Sequence, residues 1–158
     1  MRTLSTLMLI ALVAHSINSL SLTHELLGDI ALKSDNGKYL SRCNGCGSAA
    51  YSDSASVHGT NPSDPWSKWT PEKQSNGKWT LKSDNGKYLA RCNNCWYGAA
   101  YPDAAFVHES NPANPWAQWE AEKLDNGKWT LKSDNGKYLA RCNNCVYSGA
   151  YSDFAFVH

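Results

Sequence analysis

The stretch Leu81-Lys-Ser-Asp-Asn-Gly-Lys-Tyr-Leu-Ala-Arg-Cys92 decides the fold, because the chain contains it three times. Leu32–Cys43 and Leu131–Cys142 repeat it, and Ser41 is the one residue that differs among the copies. A period of about fifty residues indicates repeated supersecondary units that share one core. The repeats span approximately 28–77, 78–127 and 128–158, and we expect residues 17–27 to complete the third.

Each repeat has the pattern of short β-strands. In the second repeat, Trp79–Ser83 alternates apolar and polar residues, and Asp84-Asn-Gly86 supplies the positive-φ residues of a hairpin turn. Lys87–Arg91 continues as a second strand. We predict a third strand at Ala105–His108 and a fourth at Ala117–Glu122, after two Asn-Pro breakers.

Four strands in each of three repeats predict an all-β chain, with the β-trefoil as its architecture: a closed barrel with a hairpin cap. A sandwich of similar strands is the alternative, but a threefold sequence repeat fits a threefold fold better. Because a valine recurs beside Ser56, Phe106 and Phe156, we expect the valines to point inward and the phenylalanines outward. The predicted core layers are Leu32, Leu81, Leu131; Leu40, Leu89, Leu139; Val57, Val107, Val157; and Trp69 with Trp119.

The N-terminus has the pattern of an export signal. Arg2 precedes an apolar stretch, Leu4–Ala14, that is too short to span a bilayer. We predict a signal peptide over residues 1–16, with cleavage after Ser19 as the second choice, and a single secreted domain over 17–158. The alternating segment Ser19–Thr23 is predicted to form the N-terminal strand that closes the barrel, with Leu20 and Leu22 buried.

The repeated segment resembles fascin-type β-trefoils and the small three-repeat trefoil lectins of molluscs that bind galactosides. The matching pieces are Gly86-Lys-Tyr-Leu89, Val107-His108 and Asn111-Pro112, with equivalents in the other repeats. The resemblance covers nearly all of the predicted mature chain. It implies the trefoil fold and, for the lectins, sugar binding.

The loops that would carry sugar contacts differ from those of the family. Where the mollusc lectins have His-Pro-x-Gly-Gly, this chain has Arg91-Cys-Asn-Asn-Cys95, so individual contacts do not transfer. The Gln-x-Trp signature of ricin-type trefoils is missing because Gln118 adjoins Trp119. Fascin-like members crosslink actin, a partner that an exported chain would not meet.

Six cysteines form three close pairs, each separated by Asn-Gly or Asn-Asn. These spacers favour a tight turn that brings both sulfurs within disulfide reach, as expected for an exported chain. A zinc site or a redox pair is the alternative; zinc would need two pairs to meet, and we expect the three loops to lie apart at the periphery. The predicted disulfides are Cys43–Cys46, Cys92–Cys95 and Cys142–Cys145.

Beside each cysteine pair lies a cluster of aromatic and polar residues of the kind that binds sugars: rings for the C–H face, amides and carboxylates for the hydroxyls. Ordinary packing of hairpin tyrosines is the alternative. The strand-end histidines at 58, 108 and 158 have three interpretations: a backbone hydrogen bond, a sugar contact or a threefold metal cage. The candidate saccharide-binding residues are Asn93, Asn94, Trp96, Tyr97, Tyr101, Asp103, His108, Asn143, Asn144, Tyr147, Tyr151, Asp153 and His158.

The first repeat is poorer in these residues, with Gly47-Ser48 where the others have Trp96-Tyr97 and Val146-Tyr147. We therefore predict that the second and third repeats bind and that the first is weak. The predicted function is that of a multivalent, lectin-like protein whose partner is a glycan. The alternative is an extracellular structural or adhesive matrix protein.

Other function classes have little support. Fifteen basic and fourteen acidic residues give a net charge of +1, so no basic stripe favours nucleic acid. The acidic residues recur one per repeat rather than as an opposed catalytic pair, and neither a nucleophile elbow nor a phosphate-binding glycine loop is present. We predict no enzymatic activity, no cofactor, no metal site and no membrane span.

Overall fold

The structure, a computed structural model, describes residues 28–158 and the backbone of Met8–Leu9. This part of the chain is all-β. The strands are β1 (Met8–Leu9), β2 (Leu32–Lys33), β3 (Tyr39–Asn44), β4 (Asp53–Gly59), β5 (Thr70–Lys73), β6 (Trp79–Lys82), β7 (Tyr88–Asn93), β8 (Asp103–Glu109), β9 (Glu120–Lys123), β10 (Trp129–Lys132), β11 (Leu139–Asn143) and β12 (Asp153–Val157). Two single-turn 3₁₀-helices, Pro65–Ser67 and Pro115–Ala117, precede β5 and β9.

Ten of these strands form one antiparallel sheet that curls into a half-barrel, and β9 and β10 form a separate hairpin. At its centre, β4, β8 and β12 each pair with the other two. Each of these three also carries the preceding strand of its own repeat, β3, β7 or β11. Equivalent strands of the three repeats therefore meet at the middle of the molecule.

The predicted Asp-Asn-Gly turns are present. Gly86 has a φ of 79° and its amide donates to Ser83 O at 2.9 Å, while the Lys87 amide donates to Asn85 Oδ1. A glycine is required at this left-handed position. The fourth strand of the second repeat starts later than predicted, at Glu120, because Pro115 begins a 3₁₀ turn that includes Ala117.

The first hydrophobic core contains every residue of the predicted layers. The indole Nε1 atoms of Trp69 and Trp119, both fully buried, donate to the carbonyls of Leu40 and Leu89 at 3.0 Å. Burial of such a large ring strongly favours folding, and the hydrogen bond removes the cost of its one polar atom. The members are Leu32, Leu40, Ala55, Val57, Trp69, Leu81, Leu89, Ala105, Val107, Trp119, Leu131, Leu139, Ala155 and Val157.

The prediction that the phenylalanines point outward is wrong. Phe106 and Phe156 are fully buried, as is Ser56 at the equivalent position of the first repeat. Along β8, Val107 faces the first core while Phe106 faces a second core on the opposite side of the strand. Valine and phenylalanine do alternate between the two faces of the strand, as predicted. The phenylalanines are nevertheless buried, because the central strands are covered on both faces.

The three cysteine loops do not lie apart at the periphery. All six cysteines belong to the second core, and the loops bond to one another in a ring. The Ala50 amide donates to Cys95 O, Ala100 to Cys145 O and Ala150 to Cys46 O, at 2.7–2.9 Å. Small alanines let each loop approach its neighbour this closely. The predicted disulfide pairing is confirmed for Cys43–Cys46, Cys92–Cys95 and Cys142–Cys145, with Cα–Cα distances of 5.7–5.8 Å.

Equivalent positions in this ring hold side chains of different size. Gly47, Trp96 and Val146 follow the second cysteine of their repeats. A Cβ on Gly47 would lie 2.5 Å from the Trp96 ring. The glycine therefore leaves the volume that the tryptophan fills, so the contrast between them reflects packing.

The predicted closing strand lies within residues 17–27, outside the described residues, as does most of the predicted signal segment. The structure pairs the backbone of Met8–Leu9 antiparallel with Leu32–Lys33. In the other two repeats, the strands equivalent to Leu32–Lys33 are paired in the same way, β6 with Thr70–Pro71 and β10 with Glu120–Ala121. A strand thus occupies the expected edge, but its register differs from the predicted one, which put Leu22 opposite Leu32.

Candidate functional site

An arginine of each repeat joins that repeat to the next. Arg91 donates from Nη1 to Asp103 at 2.8 Å, and from Nε and Nη2 to both carboxylate oxygens of Asp134 at 2.7 and 2.8 Å. The guanidinium lowers the pKa of Asp134. The equivalent groups are Arg42 with Asp53 and Asp84, and Arg141 with Asp153 and Asp35. The repeated aspartates are therefore occupied by ion pairs.

Each strand-end histidine stacks on a tyrosine of another repeat. The ring centroids of His58 and Tyr151 are 4.2 Å apart. The other two stacks are His108 on Tyr51 and His158 on Tyr101, at 4.4 and 4.8 Å. The three histidines are held in separate stacks, and no cluster of three His, Cys, Asp or Glu side chains within the described residues could hold a metal ion.

The predicted polar contacts are largely engaged within the protein. Asn93 donates to Asp103 at 3.0 Å, and Asn143 donates to Asp153 at the same distance. Both carboxylates are buried beneath the arginine network. Asn94 and Asn144 adopt φ values of 57° and 55°, which asparagine tolerates better than most residues, so their position in the turn is explained by backbone geometry.

The predicted aromatic residues fall into three environments. Trp96 is buried in the second core, against Phe106 and Phe154. Tyr97 and Tyr147 project into solvent, and Tyr147 is 86% exposed. Tyr101 and Tyr151 lie in the histidine stacks. Among these aromatic candidates for saccharide binding, Tyr151 also lines a cleft.

This cleft lies between the first and third repeats and has a volume of about 550 Å³. The His58–Tyr151 stack forms part of its lining, as does Trp66, which has 41% of its surface exposed. Asn44 and Asp64 are among its polar side chains. Cavities of this size, with aromatic walls and a few polar groups, are typical of small-molecule sites.

The cleft contains a neutral histidine. Burial lowers the pKa of His58, and the charge of Lys38 lowers it further. Its Nδ1 lies 2.6 Å from the hydroxyl of Ser56. At neutral pH the imidazole therefore offers an apolar face and a hydrogen-bonding edge without a charge.

The first repeat, which is poorest in the predicted aromatic residues, supplies most of the cleft. Trp66 and Trp69 form a Trp-x-x-Trp block, of which Trp69 is the core residue. Trp66 lies within the 3₁₀ turn that begins at Pro65 and is exposed, whereas Trp69 follows the turn and is fully buried. The adjacent proline was the available signal that Trp66 lies outside the strand.

In the described part of the chain, no helix is long and apolar enough to cross a membrane. No protein-family model and no curated protein matches the sequence. Among solved structures, the fold is similar to the crystal structure of the Haemophilus ducreyi cytolethal distending toxin. The TM-score is 0.58 at 14% sequence identity, over 89% of this chain and 78% of that chain. At this identity the similarity concerns the fold alone.

Proposed function

We propose that the protein is a secreted, non-catalytic, lectin-like β-trefoil that binds a saccharide in the cleft of the first repeat. The observation that carries the proposal is that an exposed indole, Trp66, and the His58–Tyr151 stack line the same cleft. Sugars present an apolar C–H face to aromatic rings and hydroxyls to amides and carboxylates. Asn44 and Asp64 line the cleft beside the rings and supply these polar groups.

Three features support the trefoil architecture. Each repeat contributes four strands, if β1 is counted with the third. The central strands of the three repeats pair with one another. The arginine pairs, histidine stacks and loop hydrogen bonds each link the repeats in a cycle. The three disulfides accord with export to an oxidising compartment.

The absence of catalysis is part of the proposal. The Asp53 carboxylate accepts from the cleft residues Arg42 and Asn44 at 2.7 and 3.0 Å. Because these two donors already engage it, Asp53 serves the arginine network rather than a reaction. His58 has no carboxylate partner among the described residues that would orient it as a base.

A second candidate, an extracellular adhesive or matrix protein, is favoured by Tyr97 and Tyr147. Both rings project from the ring of cysteine loops, and exposed aromatics of this kind suit contact with a surface. This role would not require the cleft.

A glycan array distinguishes the two candidates. We expect the intact protein to bind a set of saccharides, and Trp66→Ala to weaken that binding about tenfold, the cost of about 1.4 kcal/mol of ring contact. Trp116→Ala, which removes the equivalent tryptophan of the second repeat, is the matched control and should leave binding unchanged. Binding to no saccharide would contradict the proposal and favour the matrix role.

A further inference from the structure

In the second repeat, a glutamate side chain binds Trp116, the tryptophan equivalent to Trp66. The Glu109 carboxylate accepts from the backbone amides of Ser110 and Asn111, both at 2.9 Å, and from Trp116 Nε1 at 2.5 Å. Desolvation raises the pKa of this carboxyl, but the hydrogen bonds outweigh it and hold the pKa below its usual value. Three convergent donors therefore bind an anionic oxygen pair at this position.

The first repeat has the same loop without the carboxylate, because Gly59 stands at the position of Glu109. The two loops share their backbone shape: Asp64 and Asn114 have φ, ψ values of −64°, 136° and −68°, 131°. Within the described residues, the three equivalent donors have no hydrogen-bond partner. These donors are Thr60 N, Asn61 N and Trp66 Nε1.

The exchange of glycine for glutamate involves two further positions. A Cβ on Gly59 would overlap the hydroxyls of Ser41 and Ser67, which share a buried hydrogen bond of 2.7 Å. In the second repeat both serines are alanines, Ala90 and Ala117, which leave room for Glu109. Gly59 in the first repeat and Glu109 in the second therefore each fit the side chains that surround them.

The N–H donors of the two loops differ in one neighbouring residue, which is Asn114 in the second repeat and Asp64 in the first. The Asn114 side chain lies close enough to Glu109 to help lower the pKa of this carboxyl. The first repeat has Asp64 there, which accepts a hydrogen bond from Asn61 at 3.1 Å and lines the cleft. A carboxylate on the ligand would face the Asp64 carboxylate, and like charges this close repel. A hydroxyl can accept from two of the three N–H groups, Trp66 Nε1 among them, and donate to Asp64.

Building on the proposed function, we infer that the first-repeat cleft selects neutral saccharides over acidic ones and that Asp64 sets this preference. One sugar hydroxyl takes the place that Glu109 occupies in the second repeat and donates its proton to Asp64. Asp64→Asn recreates the donor set that holds Glu109, so it should favour a ligand carboxylate.

The test is calorimetric titration of the intact protein with methyl hexosides and their uronic acid counterparts, in the galactose, glucose and mannose series. We expect the wild type to prefer the neutral member of the bound series at least tenfold. Asp64→Asn should shift the ratio at least tenfold toward the acid. Asp125→Asn, which removes the same charge in an exposed turn, should leave the ratio unchanged.

A second variant tests the position of the hydroxyl. Gly59→Glu combined with Ser41→Ala and Ser67→Ala installs the second repeat's arrangement and should abolish binding, whereas the two serine changes alone should preserve it. A wild type that prefers the acid, or a ratio that Asp64→Asn leaves unchanged, overturns the inference. If Trp66→Ala still weakens binding in that case, the proposed function stands. If none of the six sugars and no saccharide of the array binds, the proposed function fails as well.

Discussion

Arg141 of the third repeat binds both carboxylate oxygens of Asp35 in the first, at 2.7 and 2.9 Å. The same guanidinium reaches Asp153 of its own repeat at 2.6 Å. The pairs Arg42–Asp84 and Arg91–Asp134 make the equivalent links between consecutive repeats. The Arg141 link joins residues 106 positions apart, so it closes the cycle.

Replacement of Arg141 by methionine should lower the free energy of unfolding by about 2 kcal/mol, because it leaves the buried Asp153 without its cation and removes a bidentate pair. The measurement is urea denaturation followed by circular dichroism. Lys128→Met removes a positive charge from an exposed side chain and should cost less than about 0.5 kcal/mol. Equal losses in the two variants would show that the arginine link contributes little.

Stability should fall on mild acidification. Burial lowers the pKa of His58 and of His108, so between these folded values and the unfolded value near 6.5 the unfolded chain binds more protons. The free energy of unfolding is therefore highest above about pH 6.5 and decreases below it.

Urea denaturation at about pH 7.5 and about pH 5 measures this effect. The double variant His58→Phe with His108→Phe keeps both rings and should remove most of the difference between the two pH values. A wild type whose stability is the same at both would contradict the assigned burial of the imidazoles.

The exposed tyrosines of the cysteine loops provide a direct comparison with the cleft. Tyr97 and Tyr147 are candidate saccharide-binding residues by their sequence, whereas the proposed site is the cleft with Trp66. The double variant Tyr97→Ala with Tyr147→Ala should retain saccharide binding within about twofold, because neither ring lines the cleft. Loss of binding on the array, with an unchanged β-sheet spectrum, would return the site to the loops.

How far the sequence predicted the structure depends on the kind of information each feature needs. The core leucines, valines and tryptophans were predicted because their spacing repeats in every unit. The burial of Phe106 and the meeting of the cysteine loops were missed, since both depend on the second core that forms where three repeats converge. Local alternation cannot reveal this convergence.

The candidate site was only partly predictable for the same reason. Tyr151 and His58 belong to different repeats, and their stacking is visible only after the chain closes. The exchange of Gly59 for Glu109 is visible in the sequence. Its effect on the site is not, because it depends on the hydrogen bond between Glu109 and the indole of Trp116. The polar residues beside the cysteine pairs, which were predicted as candidate sugar contacts, belong to the network of arginine ion pairs that links the repeats.

The N-terminal segment is expected to stabilise the third repeat. Ile30 and Trp79 form backbone bridges with Trp69 and Trp119, but Trp129 has no such bridge among the described residues. Leu131 is 7% exposed, compared with 1% for Leu32. The predicted strand from residues 17–27 would complete this seam by taking the place that Met8–Leu9 holds beside β2, and burial of Leu20 and Leu22 would contribute about 1.5–3 kcal/mol each.

Thermal unfolding of versions that begin at Ile17 and at Glu25 tests this expectation. The longer version should melt at the higher temperature, and both should be monomeric. Equal melting temperatures would show that residues 17–24 do not contribute to the barrel.

The indole N–H signals of the protein test the central claim most directly. The chain has seven tryptophans, each with one resolvable indole resonance in a ¹⁵N-correlated spectrum. On addition of the best-binding saccharide from the array, the Trp66 signal should shift in a saturable manner, because its N–H gains an acceptor. The Trp116 signal should stay in place, since Glu109 already holds it. A saccharide that binds and leaves the Trp66 signal unmoved would contradict the account.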